Sequence, residues 1–224
     1  MYKRQLVFGS AIHTALQQHF ESPHNQRSKE TLIQSARVYI SQFSPLTQQD
    51  NKEMSQKAEQ VLTEYFKMIL SKESDPLSVE KNYSAGSLFF DDIPVTGKID
   101  KISKIDEHTV RVVDYKTGRA KTQNAILGKN KGSNMDSYQQ LMFYKLLLEL
   151  DATFQHTPTQ FTLDYVEHLK RVDVPIDQSD YQTFQHTIRN VWRSITTLEF
   201  LESTQQFPFC EKCEYCTMAK DNTI

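Results

Sequence analysis

Apolar positions recur at helical spacing over the first third of the chain and at strand spacing afterwards. From Leu6 to Phe20, the residues Leu6, Gly9, His13, Leu16 and Phe20 fall three or four apart, which predicts a helix with Gly9 and His13 on its apolar face. The polar turn SPHNQRSK leads to a second helix carrying Leu32, Ala36, Tyr39 and Phe43. That helix is expected to end before Pro45, because proline disfavours helical geometry in its predecessor. A third helix, about Asp50 to Leu70, repeats the pattern with Ala58, Leu62, Tyr65 and Ile69. These two read as packing helices without chemistry of their own.

After Asp75-Pro76 the texture changes to strands: Leu77 to Tyr83, Ser87 to Phe90, Val95 to Ile105 and Thr109 to Lys116, an antiparallel meander. Its turns are supplied by Gly86, by Asp91, Asp92 and Pro94, and by Asp106-Glu107. A loop rich in Gly, Lys and Asn, from Asn124 to Asn134, could lie along phosphates. A helix from Met135 to Asp151, strands at Phe161 to Leu169 and Arg171 to Ile176, and a last long helix from about Gln178 to Glu202 complete the reading. The last helix is expected to pack across the sheet or against the first helices. No internal repeat, low-complexity tract or phosphate-cradling glycine motif interrupts this order.

Length and charge narrow the class. A chain of 224 residues is long enough to bury a real core, and it reads as one domain, residues 1–224. A net charge of −2 gives no global sign of a nucleic-acid partner. Between Lys98 and Lys131, however, nine Lys or Arg face four Asp or Glu, so that segment carries about +5. No apolar run is long enough to span a membrane and no signal peptide is evident, so a cytoplasmic protein is expected. The first helix begins within a few residues of Met1 with no strand or cap before it, which suggests part of a longer protein. Cys210, Cys213 and Cys216 are too few and too close for a disulfide framework. Metal ligands, or small apolar residues in a closing turn, are the two readings left to them.

Candidate chemistry gathers around VVDYKTG, Val112 to Gly118. Strand side chains alternate, so Asp114 and Lys116 project from one face. An acid and a lysine at the end of an apolar strand suit a metal site beside a fixed ammonium group, although an isolated pair could equally be an exposed ion pair. Asp100, flanked by Ile99 and Ile102 in GKIDKI, is either on the polar face of its strand or satisfied by something positive. His13 is either a hydrogen-bonded core residue or a ligand. Gln140 and Tyr144, one helical turn apart, could jointly present polar groups at an edge.

Taken in order, GSAIHTAL, GKIDKI, DYKTG and QQLMFY resemble the PD-(D/E)XK nuclease superfamily, most closely its RecB-like branch, which includes nuclease domains of helicase-nuclease proteins and CRISPR-associated exonucleases. The likeness spans roughly Leu6 to Cys216. It implies an α/β restriction-endonuclease-like core, a central mixed β-sheet flanked by helices, with residues 22–75 a helical insertion and 207–224 a cysteine-containing C-terminal segment. It implies Asp100, Asp114 and Lys116 as catalytic residues. His13, Asp100, Asp114 and the backbone carbonyl of Tyr115 would hold Mg²⁺ or Mn²⁺, with Glu80 as a supporting acid. Gln140 and Tyr144, with Arg119 and Lys121 nearby, would contact DNA or steady the site. The implied activity is metal-dependent DNA cleavage, exonucleolytic, in DNA repair and recombination, as the nuclease arm of a helicase in the same or a partner chain. The alternatives are a stand-alone CRISPR-associated-type exonuclease or a catalytically silent DNA-binding module. Relatives often hold a [4Fe-4S] cluster on four cysteines, one upstream of the histidine helix and three near the C-terminus spaced C-x2-C-x5-C. Here the spacing is C-x2-C-x2-C and no upstream cysteine precedes Gly9, so an incomplete cluster site is expected.

Overall fold

Helix α1 (Tyr2–Glu21) supplies the centre of the first packing layer. Its buried positions are Val7, Phe8, Ala11, Ile12, Ala15, Leu16 and Phe20, whereas Leu6 is 54% exposed. The apolar face therefore lies to one side of the expected stripe, and Gly9 and His13 fall on its border, next to solvent. Helices α2 (Lys29–Ser41) and α3 (Gln48–Met68) pack on this face through Leu32, Ile33, Ala36, Ile40, Met54, Ala58, Leu62 and Tyr65. Each begins at a side-chain cap: Ser28 accepts from the Thr31 amide and Thr47 from the Asp50 amide, and the N3 side chain returns to the cap backbone. Both helices lie within residues 22–75, where a helical arm is expected.

A computed structural model describes residues 2–43 and 46–198. Its sheet has five strands in the order β1 (Ser78–Phe90), β2 (Ile93–Lys104), β3 (Thr109–Lys116), β4 (Thr157–Tyr165) and β5 (Lys170–Asp173). All neighbours are antiparallel except β3 and β4, which run parallel. That crossover carries α4 (Gln123–Ile126) and α5 (Asp136–Leu150), so the sheet is mixed and helix-flanked as expected. The two segments separated at Gly86 are one strand. Gly86 adopts φ +79 where the β1–β2 register shifts between Tyr83 and Leu88, a bulge in place of the expected turn. The glycine-rich loop opens with the helical turn α4, which Thr122 caps and Ile126 anchors at 1% exposure. Strand β4 ends at Tyr165, short of Leu169, because a 3₁₀ turn at Val166–His168 intervenes.

Chain contacts define two units, Met1–Gln178 and Ser179–Ile224. The second contributes one described helix, α6 (Gln178–Thr196). The helix ends at Thr196, short of the expected Glu202, with Leu198 left-handed at φ 59, and residues 199–202 and the three cysteines, Cys210, Cys213 and Cys216, lie outside the described residues. Among the described residues no helix is long and apolar enough to cross a membrane.

The sheet separates two environments. Val113 and Tyr115 of β3 and Val79 of β1 face the α1–α3 layer. A buried ionic group lies there: Lys101, 1% exposed, pairs with Glu73 at 2.9 Å, and Glu73 also takes Arg171 at 2.8 Å. Arg171 in turn reaches Asp164 at 2.7 Å, and Tyr65 donates to the same Asp164 oxygen at 2.7 Å. Two cations and two carboxylates thus balance, tying the arm to the sheet. On the other side, Gly97 lies against α5 so closely that a Cβ would come 2.6 Å from Leu147 Cδ1.

Candidate active site

In a regular strand, positions 79, 81 and 83 would share a face. Here Val79 faces α1–α3, whereas Lys81 and Tyr83 reach Asp151 at the end of α5. The strand turns over at Glu80, whose φ of 48 is left-handed and rare for a non-glycine residue. In β2, Lys101, paired with Val79, lies over the Phe20 and Tyr115 rings while Gly97 faces α5, so β2 changes sides near Asp100. These twists bring the carboxylates of Glu80 and Asp100 to the border beside α1, where His13 meets them. Ligand atoms of His13, Glu80 and Asp100 all lie within 4.8 Å of one another.

Asp100 and Asp114 are brought together by the β2–β3 register. Lys101 pairs with Val113, so Asp100 and Asp114 fall side by side one step further along. Both are buried, at 6% and 1% exposure. Asp100 Oδ2 accepts from the Tyr115 amide at 2.8 Å, and its Oδ1 lies 3.4 Å from His13 Nδ1. The other ring nitrogen of His13, Nε2, lies 3.1 Å from the Tyr115 carbonyl oxygen. Each imidazole nitrogen therefore faces an acceptor. Burial pushes the His13 pKa down, but the hydrogen bond to Asp100 and the charges of Asp100, Asp114 and Glu80 outweigh it, and the value is raised.

Asp114 is held from both ends. Its Oδ2 takes Lys116 Nζ at 2.7 Å and its Oδ1 takes the Tyr144 hydroxyl at 3.0 Å. Gln140 closes the ring, accepting from Lys116 at 2.7 Å and donating to the Tyr144 oxygen at 2.8 Å. Burial raises the Asp114 pKa, with Lys116 opposing and Asp100 reinforcing. The Tyr144 phenol is raised as well, by burial and then by the neighbouring Asp114 charge. Tyr144, 5% exposed, is thus a support beneath the carboxylate.

The donor set suits a hard divalent cation. It offers the Glu80 and Asp100 carboxylates and the His13 imidazole, with the Tyr115 main-chain carbonyl beside His13, while Asp114, expected as a ligand, lies outside that close group with its oxygens engaged by Lys116 and Tyr144. Glu80, expected as a supporting acid, lies within the cluster, and Lys98, not among the expected site residues, forms an ion pair with it. Arg119 and Lys121 lie apart from the cluster. Arg119 is exposed on the loop after β3, and Lys121 donates to Asn134 at 3.1 Å. A further close approach, between α1 and the end of β3, is signalled in the sequence only by the glycine in GSAIH: a Cβ on Gly9 would lie 3.1 Å from Thr117 Oγ1.

Carboxylates and a lysine at the end of neighbouring strands of a helix-flanked mixed sheet define a restriction-endonuclease-like fold. Residues 2–220 match the family model of the PD-(D/E)XK nuclease superfamily, and the chain belongs to that superfamily. No curated protein matches the chain.

Proposed function

We propose that this nuclease-fold chain is a Mg²⁺- or Mn²⁺-dependent deoxyribonuclease. The observation that carries the reading is the ring Asp114–Lys116–Gln140–Tyr144 set beside the cluster of His13, Glu80 and Asp100. Superfamily membership supports it. His13, Asp100, Asp114 and the Tyr115 carbonyl would hold the metal, with Glu80 as a supporting acid. When bound, such an ion supplies Lewis-acid stabilisation of phosphoryl charge and lowers the pKa of a coordinated water. Lys116, fixed by two acceptors, then has its remaining hydrogen free for the attacking water or a phosphoryl oxygen. Gln140 and Tyr144 keep Asp114 and Lys116 in register. The ammonium group of Lys116 next to a buried carboxylate favours a productive geometry over a flexible one, since neither group can swing away without losing a partner.

The finer reading is an exonuclease of the RecB-like branch, cytoplasmic, acting in DNA repair and recombination beside a helicase domain in the same or a partner chain. The local basic segment supports a DNA partner, and the modest net charge supports a motor that supplies most of the grip. The cysteines Cys210, Cys213 and Cys216 would form an incomplete [4Fe-4S] site. The test is cleavage of end-labelled linear DNA and of covalently closed circular DNA with Mg²⁺ or Mn²⁺, with and without EDTA. Metal-dependent shortening of the linear DNA alone is expected. Cleavage of the circle would replace the exonuclease reading with an endonuclease, and cleavage in EDTA would remove the metal from it.

A further inference from the structure

The β1–β2 register sets two carboxylates against each other. Val79 pairs with Lys101 and Lys81 with Ile99, so Glu80 falls opposite Asp100, and like charges directly across a strand pair are destabilising. The Glu80 side chain is only 7% exposed, and its ligand atoms lie close to those of Asp100 and His13. A second acid buried beside Asp100 requires a countercharge.

Lys98 supplies that charge. It pairs with Asn82, two positions along from Glu80, which puts it on the diagonal, and its Nζ forms an ion pair with Glu80 Oε2. Glu80 enters no other hydrogen bond or ion pair among the described residues, whereas Asp100 is also held by the Tyr115 amide and Asp114 by the Tyr144 hydroxyl. The Lys98 side chain is 55% exposed and lines a groove of about 580 Å³ together with His13 and Glu80. A flexible four-carbon stem with its head at the mouth of a groove can give up its partner and remain hydrated. Lys116, 27% exposed and fixed between Asp114 and Gln140, has no such freedom.

We propose that Lys98 is a built-in competitor for the metal: its ammonium group holds Glu80 and so lowers the affinity of the His13–Glu80–Asp100 cluster for a divalent cation. The proposal rests on the metal-dependent reading of that site. Glu80 has one carboxylate for two cations, and an ammonium group within ion-pair distance of it is repelled by a divalent charge on the same cluster. Metal affinity and retention of the Lys98–Glu80 pair therefore oppose each other. Lys98 is a positioning residue, acting through Glu80, and it keeps the acidic cluster compensated while the chain folds.

Mn²⁺ titrations by calorimetry on the full chain test this. Lys98→Met keeps the stem, removes the charge and should bind Mn²⁺ about tenfold more tightly than the unaltered chain, a factor between those of an exposed and a buried pair. Lys98→Gln should repeat the gain, which guards against a packing effect of the methionine, and Lys98→Arg, which keeps the charge, should bind no more tightly than the unaltered chain. Lys104→Met removes a charge six positions, about 20 Å, further along β2 and should change nothing. Glu80→Gln should weaken binding, and adding Lys98→Met to it should have no effect, because the competition runs through Glu80. Affinity of Lys98→Met equal to or weaker than that of the unaltered chain, the same gain in Lys104→Met, or the same gain in the Glu80→Gln background would each overturn the competitor. The nuclease reading fails separately. Mn²⁺ binding with the expected dependence on Lys98 but no cleavage of DNA would remove that reading and leave the competitor standing, whereas metal-dependent cleavage with no gain in Lys98→Met would do the reverse.

Discussion

The Tyr144 hydroxyl donates to Asp114 Oδ1 at 3.0 Å while accepting from Gln140 at 2.8 Å. Removing it in Tyr144→Phe leaves a buried carboxylate oxygen and an amide donor without partners, at a cost of about 1–3 kcal/mol in stability. Because Gln140 also holds Lys116, kcat for DNA cleavage should fall roughly tenfold with little change in KM, as expected of an interaction that acts on transition-state geometry. Thermal unfolding and steady-state kinetics on the same preparation check both parts. A fall in kcat without any loss of stability would mean that the hydroxyl is not a buried support.

The ionic group on the other face should behave differently. Asp164→Asn removes one carboxylate and leaves Arg171 and Lys101 undercompensated. Stability should fall by about 3 kcal/mol, since breaking a buried pair strands a charge. Denaturant unfolding reads this directly. A change below about 1 kcal/mol would show that water reaches the group.

Asp151 gives a pH signature. Burial alone would raise its pKa, but hydrogen bonds from Thr153, Lys81 and Tyr83 win and hold it down at about 2. A carboxylate depressed in the folded state stabilises above its unfolded pKa, near 3.9, and loses that contribution as pH falls through its folded value. The stability of the unaltered chain relative to Asp151→Asn should therefore shrink between about pH 4 and pH 2 and be constant above pH 5. A difference that grows as the pH is lowered would have the wrong sign.

Gly9 tests the contact between α1 and β3. In a helix interior, Gly→Ala ordinarily stabilises by about 0.5–1 kcal/mol, but here the new methyl would lie 3.1 Å from Thr117 Oγ1. Gly9→Ala alone should be neutral or destabilising, and it should become stabilising in a Thr117→Ala background. Equal stabilisation in both backgrounds would show that the contact yields freely.

Much of this site is legible in the amino-acid sequence, for physical reasons that differ residue by residue. Strand alternation puts Asp114 and Lys116 on one face, and the i, i+4 spacing of Gln140 and Tyr144 lets one helix edge meet both. The position of Glu80 is much less legible, because it depends on a left-handed backbone at a non-glycine residue that reverses the parity of β1. Lys101 reads as one more polar residue in a basic segment. Its burial depends on Glu73, which Arg171 shares, and neither partner is near it in the sequence. Gly86 reads as a turn because a bulge and a turn draw on the same residue, and only the β1–β2 register separates them.

The most direct measurement of the central claim pairs Mn²⁺ binding by calorimetry with DNA cleavage in Asp114→Ala and Lys116→Ala. Asp114 is read as a metal ligand and Lys116 as the group that meets water or phosphate. Lys116→Ala should bind Mn²⁺ about as tightly as the unaltered chain and cleave at least about a hundredfold more slowly. Asp114→Ala should lose both metal affinity and cleavage. Unchanged cleavage by Lys116→Ala, or unchanged Mn²⁺ affinity in Asp114→Ala, would contradict it.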